Sequence, residues 1–445
     1  MAGDPHHVKP KALLSVTDGV FLTVGMVIGV GIFKAPSIVA GNTSSAAEFL
    51  LVWLFGGVIS LCGALVYAEL AARHPHTGGE YTFLTAALGR GAGFLFAWSR
   101  MTVIQTGAIA AVAFVFGEYA SQIVPLGNNS SAVWAAISVV LLTVLNLAGT
   151  VQTKNLQKGM EAILIASLLG LAVLGITLGA GRPAAPQPPA GGALDFALLF
   201  VLFTYGGWNE AAYLGGEVKD PARNMLKVLV GGIVLVTALY LVVNLGYLAA
   251  LGLAGVRDSQ AVAADVMRLA LGEKGAAVLA LIVCVSALTT INAAIFTGAR
   301  TTYAMGTDFS TFRRLGTWRE SGSTPADALL LQAAITLLLI GLGAATQDGF
   351  SAMVAYTAPV FWTFFLLTAL TLFIFRHRQS APPSFRLPAA WLVGGAFLLM
   401  CAFMLWKSVA FIFNPQFGPK FGIAVLGGLI VMALGVPLYF LSKAK

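Results

Sequence analysis

Gly25-Met-Val-Ile-Gly29-Val-Gly31-Ile-Phe-Lys34-Ala-Pro36 places three glycines, a lysine and a proline inside an otherwise apolar run near the start of the chain. A second apolar run is interrupted in the same way by Phe203-Thr-Tyr-Gly206-Gly207-Trp-Asn209-Glu210. Glycine and proline weaken a helix interior by about 1 and about 3 kcal/mol relative to alanine. Single glycines in apolar helices also serve close helix packing. A charge and a proline directly after Gly29 and Gly31, and a glycine pair at 206 and 207, favour true breaks instead. In hydrocarbon, such a break is tolerated only where it is buried in protein or lines a cavity.

The rest of the chain says that hydrocarbon is the right solvent to consider. Of 445 residues 58% are apolar and 10% charged, with a mean hydropathy of +0.86. A soluble domain has about 45–50% apolar and about 25% charged residues, so an ordinary water-soluble enzyme is excluded. Apolar runs punctuated by polar, proline and glycine residues place spans near 14–38, 46–72, 94–120, 132–149, 156–179, 194–217, 226–252, 276–304, 326–345, 349–375, 389–411 and 421–441. The two interrupted stretches then fall in the first and sixth spans. That placement predicts an all-α membrane protein of twelve transmembrane helices, with a five-helix repeat used twice in inverted topology. The repeats cover about 14–179 and 194–375, helices 1 and 6 are broken at mid-membrane, and two extra helices follow at about 389–441. One transmembrane domain accounts for 1–445, the proline-rich 182–189 being a short external linker. The longest external loop, 252–275, contains an amphipathic stretch at Ala261–Leu271 expected to form a short helix.

Charge fits the same picture. Starting inside, eighteen Lys and Arg fall in loops of that face and six in loops of the other, so both termini are expected in the cytoplasm, with the chain in the plasma (inner) membrane. The net charge of +8 is therefore mostly orientation, and nucleic acid is not an expected partner. The apolar stretch after Leu14 is too long for a cleaved leader. Cys62, Cys284 and Cys401 sit in apolar runs without the spacing of a disulfide framework or zinc site.

Free amides at the N-terminal end of a half-helix attract an anion, and free carbonyls at a C-terminal end attract a cation. A free α-amino acid carries both groups, so two breaks facing each other would hold its backbone and leave its side chain to neighbouring helices. Gly29-Val-Gly-Ile-Phe33 resembles the GSGIF signature of the amino acid/polyamine/organocation superfamily, and Phe203 to Asn209 resembles the sixth-helix motif of its L-type amino acid transporter branch. Glu217-Val-Lys-Asp-Pro-Ala-Arg-Asn224 and Asn292 through Gly306 resemble two further motifs of that branch, in the right order. The resemblance implies the fold of the sodium-coupled leucine transporter and an alternating-access carrier, a symporter or exchanger. Carried over by position, it implies amides around Gly29, Val30 and Gly31 for the substrate carboxylate. Carbonyls of Val27, Ile28, Phe203, Thr204 and Gly206 are implied for its ammonium group. Phe203 is implied as an external gate, Asn209 as a polar bridge, and Ile32 as part of the specificity pocket.

The chain departs from the family at Val30, where a serine is usual, and at Ser167, where the fifth helix usually carries a lysine. Loss of that ammonium removes a repulsion to sodium. Thr289 and Thr290 fall where sodium-dependent relatives supply hydroxyl ligands, so the resemblance implies them, with Ser167 and the carbonyls of Gly25 and Ile28, as candidates for a coupling-ion site of hard oxygens, although such threonines also bond their own helix backbone. Glu210, close to the expected midplane, has three open roles: proton carrier, selector of cationic substrates, or cap and structural partner. Lys34 and Arg100 are each expected either to snorkel or to pair with Glu69, Glu80 or Glu118, and Glu161 and Glu217 are placed in gating ion pairs. No P-loop, HExxH or credible GxSxG occurs, so neither ATP-driven transport nor catalysis is expected. No cofactor and no firm metal ligand set is read, beyond sodium or a proton as coupling ion. The loop Gln122–Ala132 lacks the cysteine through which animal relatives hold a heavy glycoprotein, so no disulfide-linked heavy subunit is expected. Neutral amino acids lead as substrates, with cationic amino acids or polyamines as the alternative, and a sensor, accessory subunit or channel as the alternative class.

Overall fold

The computed structural model describes residues 15–74, 79–149, 154–179, 192–210, 218–319, 324–346, 348–378, 383–413 and 418–442. Regular structure there is helical, apart from isolated bridge residues that include the pair Arg319 and Thr324. The first span is two helices, α1 (Val16–Val27) and α2 (Gly31–Gly41), bent by 53°. Ser15 caps α1 and exchanges bonds with Asp18, the reciprocal capping box of a firm helix start. The helix stops because Ile28 turns out of helical geometry (ψ 85°) and the Gly29 amide closes a tight turn onto Val27 O at 2.8 Å.

α3 (Ala46–Arg73) is followed by the short α4 (Gly79–Leu88), which a reading by apolar runs passes over. The next span joins α5 (Arg90–Ser99) to α6 (Gln105–Ile123) through a π-helical turn at Arg100–Ile104. Then come α7 (Ser130–Leu147), α8 (Lys154–Gly179) and α9 (Leu194–Thr204). α9 ends in turns at Tyr205–Gly207 and a 3-10 turn at Trp208–Glu210. What continues the sixth span lies outside the described residues, as do Glu217 and the proline-rich linker.

α10 (Pro221–Asp258) and α11 (Val262–Asp308) each contain one left-handed glycine, Gly252 and Gly272. Gly272 separates the expected short helix, Val262 to Leu271, from the long span after it. α12 (Ala326–Ala344), α13 (Gly349–Arg378), α14 (Ala390–Ala410) and α15 (Gly418–Leu441) complete the chain. Among the described residues, ten helices are long and apolar enough to cross a bilayer, and the bent α1–α2 pair makes an eleventh. Their outer faces carry Leu338, Leu342, Leu399 and Ile423, all exposed, and apolar surface on this scale suits lipid rather than water. Inside, α10 packs on α3, α8 and α1, α11 on α6 and α8, and α13 on α6, α14 and α15. The two broken segments are thereby held in the middle.

Candidate functional site

The two breaks touch. A Cβ on Gly31 would lie 2.9 Å from Thr204 Oγ1, and one on Gly207 would fall on the Met26 carbonyl. Gly207 also has φ +107°, a backbone shape that side chains disfavour. The fully buried Tyr240 of α10 ties the breaks together, its hydroxyl lying 3.0 Å from Val27 O and 3.2 Å from Thr204 O. Trp53 and Tyr205 pack edgewise around that ring at 5.7 and 5.1 Å. Tyr240 had no signature as a site residue in the sequence; only a tyrosine in an apolar span marks it.

A cavity of about 950 Å³ opens beside this junction. Gly25, Val27, Ile28, Gly29, Val30, Gly31, Phe203, Thr204, Gly206, Asn209, Glu210, Thr289 and Thr290 all line it. Two of the candidate substrate- or ion-binding residues do not. Ile32 is fully buried, with its carbonyl 3.5 Å from the Tyr247 hydroxyl, and Ser167 bonds its own helix at Ile163 O, 2.7 Å. The hydroxyls of Thr289 and Thr290 also donate within α11, to Val285 O and Ser286 O. Nothing lies within 4 Å of a Cβ built on Gly29, so that glycine presents bare backbone. Gly31 and Ile32 head α2, where the first amides of a helix have no intrahelical acceptor. Of the expected ammonium-binding carbonyls, that of Val27 accepts from the Gly29 amide, 2.8 Å, and that of Phe203 from the Gly206 amide, 2.9 Å, while the single proton of the Tyr240 hydroxyl is shared between those of Val27 and Thr204.

At the α2 end the cavity is shut. Phe203 meets Phe350 edge-on at 5.8 Å, Tyr119 donates to Phe33 O, and Arg257 donates to Ala40 O and Thr43 O. Lys34 does not snorkel; its ammonium lies 3.0 Å from Glu118 of α6. Towards the α1 end the lining continues through Leu22, Asn146, Gly149, Glu161, Arg300 and Thr324. Glu161 packs its carboxylate against the backbone of Gly25, where a Cβ would collide with it. Arg300 stacks on the ring of Phe296.

Arg100 also pairs. Its guanidinium donates to both oxygens of Glu210 at 2.8 and 3.0 Å and lies 3.8 Å from Glu80. The π turn that begins at Arg100 widens the helix where this side chain leaves it. Both Glu210 oxygens are thus held by Arg100. Glu69 instead holds Arg73 and Arg376. Glu80, for which the sequence offered no role beyond pairing, accepts from Tyr67 Oη at 2.8 Å and from Asn209 Nδ2 at 3.2 Å.

Comparison with known proteins gives this arrangement a context. The family model described as amino acid permease matches residues 14–435. The chain is 31% identical to large neutral amino acids transporter small subunit 2 of Rattus norvegicus, over 98% of this chain and 81% of that protein. It is 30% identical to the Homo sapiens protein of the same name, with the same coverage. It is 28% identical to b(0,+)-type amino acid transporter 1 of Oryctolagus cuniculus, over 85% of this chain and 78% of the other.

Proposed function

The chain belongs to the amino acid permease family, an integral membrane transporter family rather than one of enzymes, and from that premise we propose that it carries neutral amino acids by alternating access. The observation that carries this reading is the direct contact of the two broken helices beside one cavity, with backbone groups of both turned to the same space. The amides of Gly29, Val30 and Gly31 take the substrate carboxylate. Carbonyls of Ile28 and Gly206 take the ammonium group, with those of Val27, Phe203 and Thr204 as shared second acceptors. Phe203 with Phe350 covers the substrate from outside. In this reading the helices form the five-plus-five inverted repeat of the family, about 14–179 and 194–375, with twelve spans in all.

With both termini in the cytoplasm of a plasma-membrane protein, the sealed α2 end faces out and the cavity opens inward. Substrate favours closure only through its different affinity for the two states, and gripping one zwitterion with both broken helices supplies that difference. Neutral substrates are favoured because Arg100, Glu210 and Glu80 are spent on one another beside the breaks. The second reading, cationic amino acids or polyamines, draws on the three carboxylates that line the cavity, Glu80, Glu161 and Glu210, against two arginines. Secondary transport needs no cofactor here, and no disulfide-linked heavy subunit is proposed.

Backbone recognition of the carboxylate makes a direct prediction. Leucine methyl ester keeps the ammonium group and side chain but loses the negative charge, and charge-assisted hydrogen bonds contribute about 1.5–3 kcal/mol each. In competition against labelled leucine on purified protein, the ester is expected to bind at least about tenfold more weakly than leucine. Equal competition by the two would place recognition elsewhere.

A further inference from the structure

Asn209 sits just past the second break, 6% exposed, and lines the cavity. An asparagine amide offers two different edges, an NH2 donor and an oxygen acceptor, and which edge meets the substrate depends on what holds the other. Here Nδ2 lies 3.2 Å from Oε1 of Glu80. An ionised carboxylate only accepts, so it admits the NH2 edge and repels the oxygen. Three features hold Glu80 in that form. Its side chain is in the first turn of α4, at the positive end of the helix dipole. Tyr67 donates to the same oxygen at 2.8 Å. The guanidinium of Arg100, itself 6% exposed, lies 3.8 Å from the other oxygen. Among the described residues, no donor reaches Asn209 Oδ1.

We propose that Glu80 is a positioning residue for substrate recognition: it fixes the Asn209 amide with its NH2 edge inward, so that Oδ1 meets the substrate's ammonium group in the cavity. This rests on the transport reading above and adds a side-chain acceptor to a set of backbone carbonyls of which three already accept, from the Gly29 and Gly206 amides and the Tyr240 hydroxyl. It also gives α4, a helix too short to span a bilayer, a part in the affinity of the site. The link is one-directional in chemistry. Replacing Glu80 by glutamine supplies an amide that can donate, and Asn209 is then free to turn its oxygen inward and present NH2 to a cation.

The test measures discrimination rather than activity. Displacement of labelled leucine from purified full-length protein is compared for leucine and 4-methylpentanoate, which keeps the carboxylate and the branched chain but has no ammonium group. In the unaltered protein leucine is expected to win, and in Glu80→Gln the preference is expected to shrink at least about tenfold. Binding of 4-methylpentanoate itself should stay nearly unchanged, which general damage to the fold would not allow. Asn209→Ala is expected to shrink the preference equally, and adding Glu80→Gln to it should change nothing further. Tyr67→Phe leaves the carboxylate in place and is expected to keep the preference within about twofold. An undiminished preference in Asn209→Ala, or additive losses in the double variant, would overturn the proposal even if Glu80→Gln alone failed to fold. Failure of the unaltered protein to bind leucine would overturn the transport reading and this one together; leucine binding with unchanged discrimination overturns this one alone.

Discussion

Gly207→Ala is expected to cut amino acid uptake below about one tenth of the unaltered level while the chain still inserts in the membrane. Two costs coincide at this position. The backbone has φ +107°, a region that charges a non-glycine residue about 1–3 kcal/mol. The added Cβ would also fall on the Met26 carbonyl, and a backbone atom cannot swing aside as a side chain can. The break after α9 must then move off the break after α1, and the substrate loses its two-sided grip. Gly341→Ala in α12 is the matched control, because nothing lies within 4 Å of its Cβ and alanine is the better helix former. Uptake into proteoliposomes, with size-exclusion profiles of both variants, reads the difference. Normal uptake by Gly207→Ala would mean that the close approach of the two breaks does not matter to transport.

Arg100→Gln is expected to have the largest effect on stability. It leaves Glu210 without the guanidinium that meets both of its oxygens, and Glu80 without the cation 3.8 Å away. Removing one partner of a buried ion pair costs about 3–5 kcal/mol. Glu210 borders the cavity with its side chain about one-third exposed, so solvent screens part of this and a loss of about 2–3 kcal/mol is expected. A fall in thermal transition temperature of purified protein would report it. The double variant Arg100→Gln/Glu210→Gln should recover much of the loss, because two amides can pair without charge. A double variant no more stable than the single would show that the pair is not what holds this corner together.

Much of this architecture was legible in the sequence because hydrocarbon imposes simple rules. Spans followed from apolar runs, and the break at Gly29–Gly31 from glycines beside a charge and a proline. The glycines at 206 and 207 marked the second turn for the same reason. Tertiary choices were harder to see. Arg100 is 110 positions from Glu210, and nothing local chose that carboxylate over Glu69 or Glu118. Ser167 was aligned by family position, but its side chain bonds its own helix and does not reach the cavity. The α4 helix was passed over because it is short and only half apolar, so a search for membrane-length runs never registers it. With it went the role of Glu80. Tyr240 was invisible for a different reason: a tyrosine in a span reads as packing until its hydroxyl is seen between two broken backbones.

The measurement that bears most directly on the whole account is uptake by purified protein in liposomes preloaded with unlabelled amino acids. Labelled alanine, leucine, arginine, glutamate and putrescine would each be followed with and without a sodium gradient, a proton gradient and internal substrate. Saturable uptake of alanine or leucine that exceeds uptake of the charged probes is expected, and its dependence on either gradient or on internal substrate assigns the coupling. Binding of leucine with no movement of any label would contradict it, and would make the paired breaks a receptor site rather than a path.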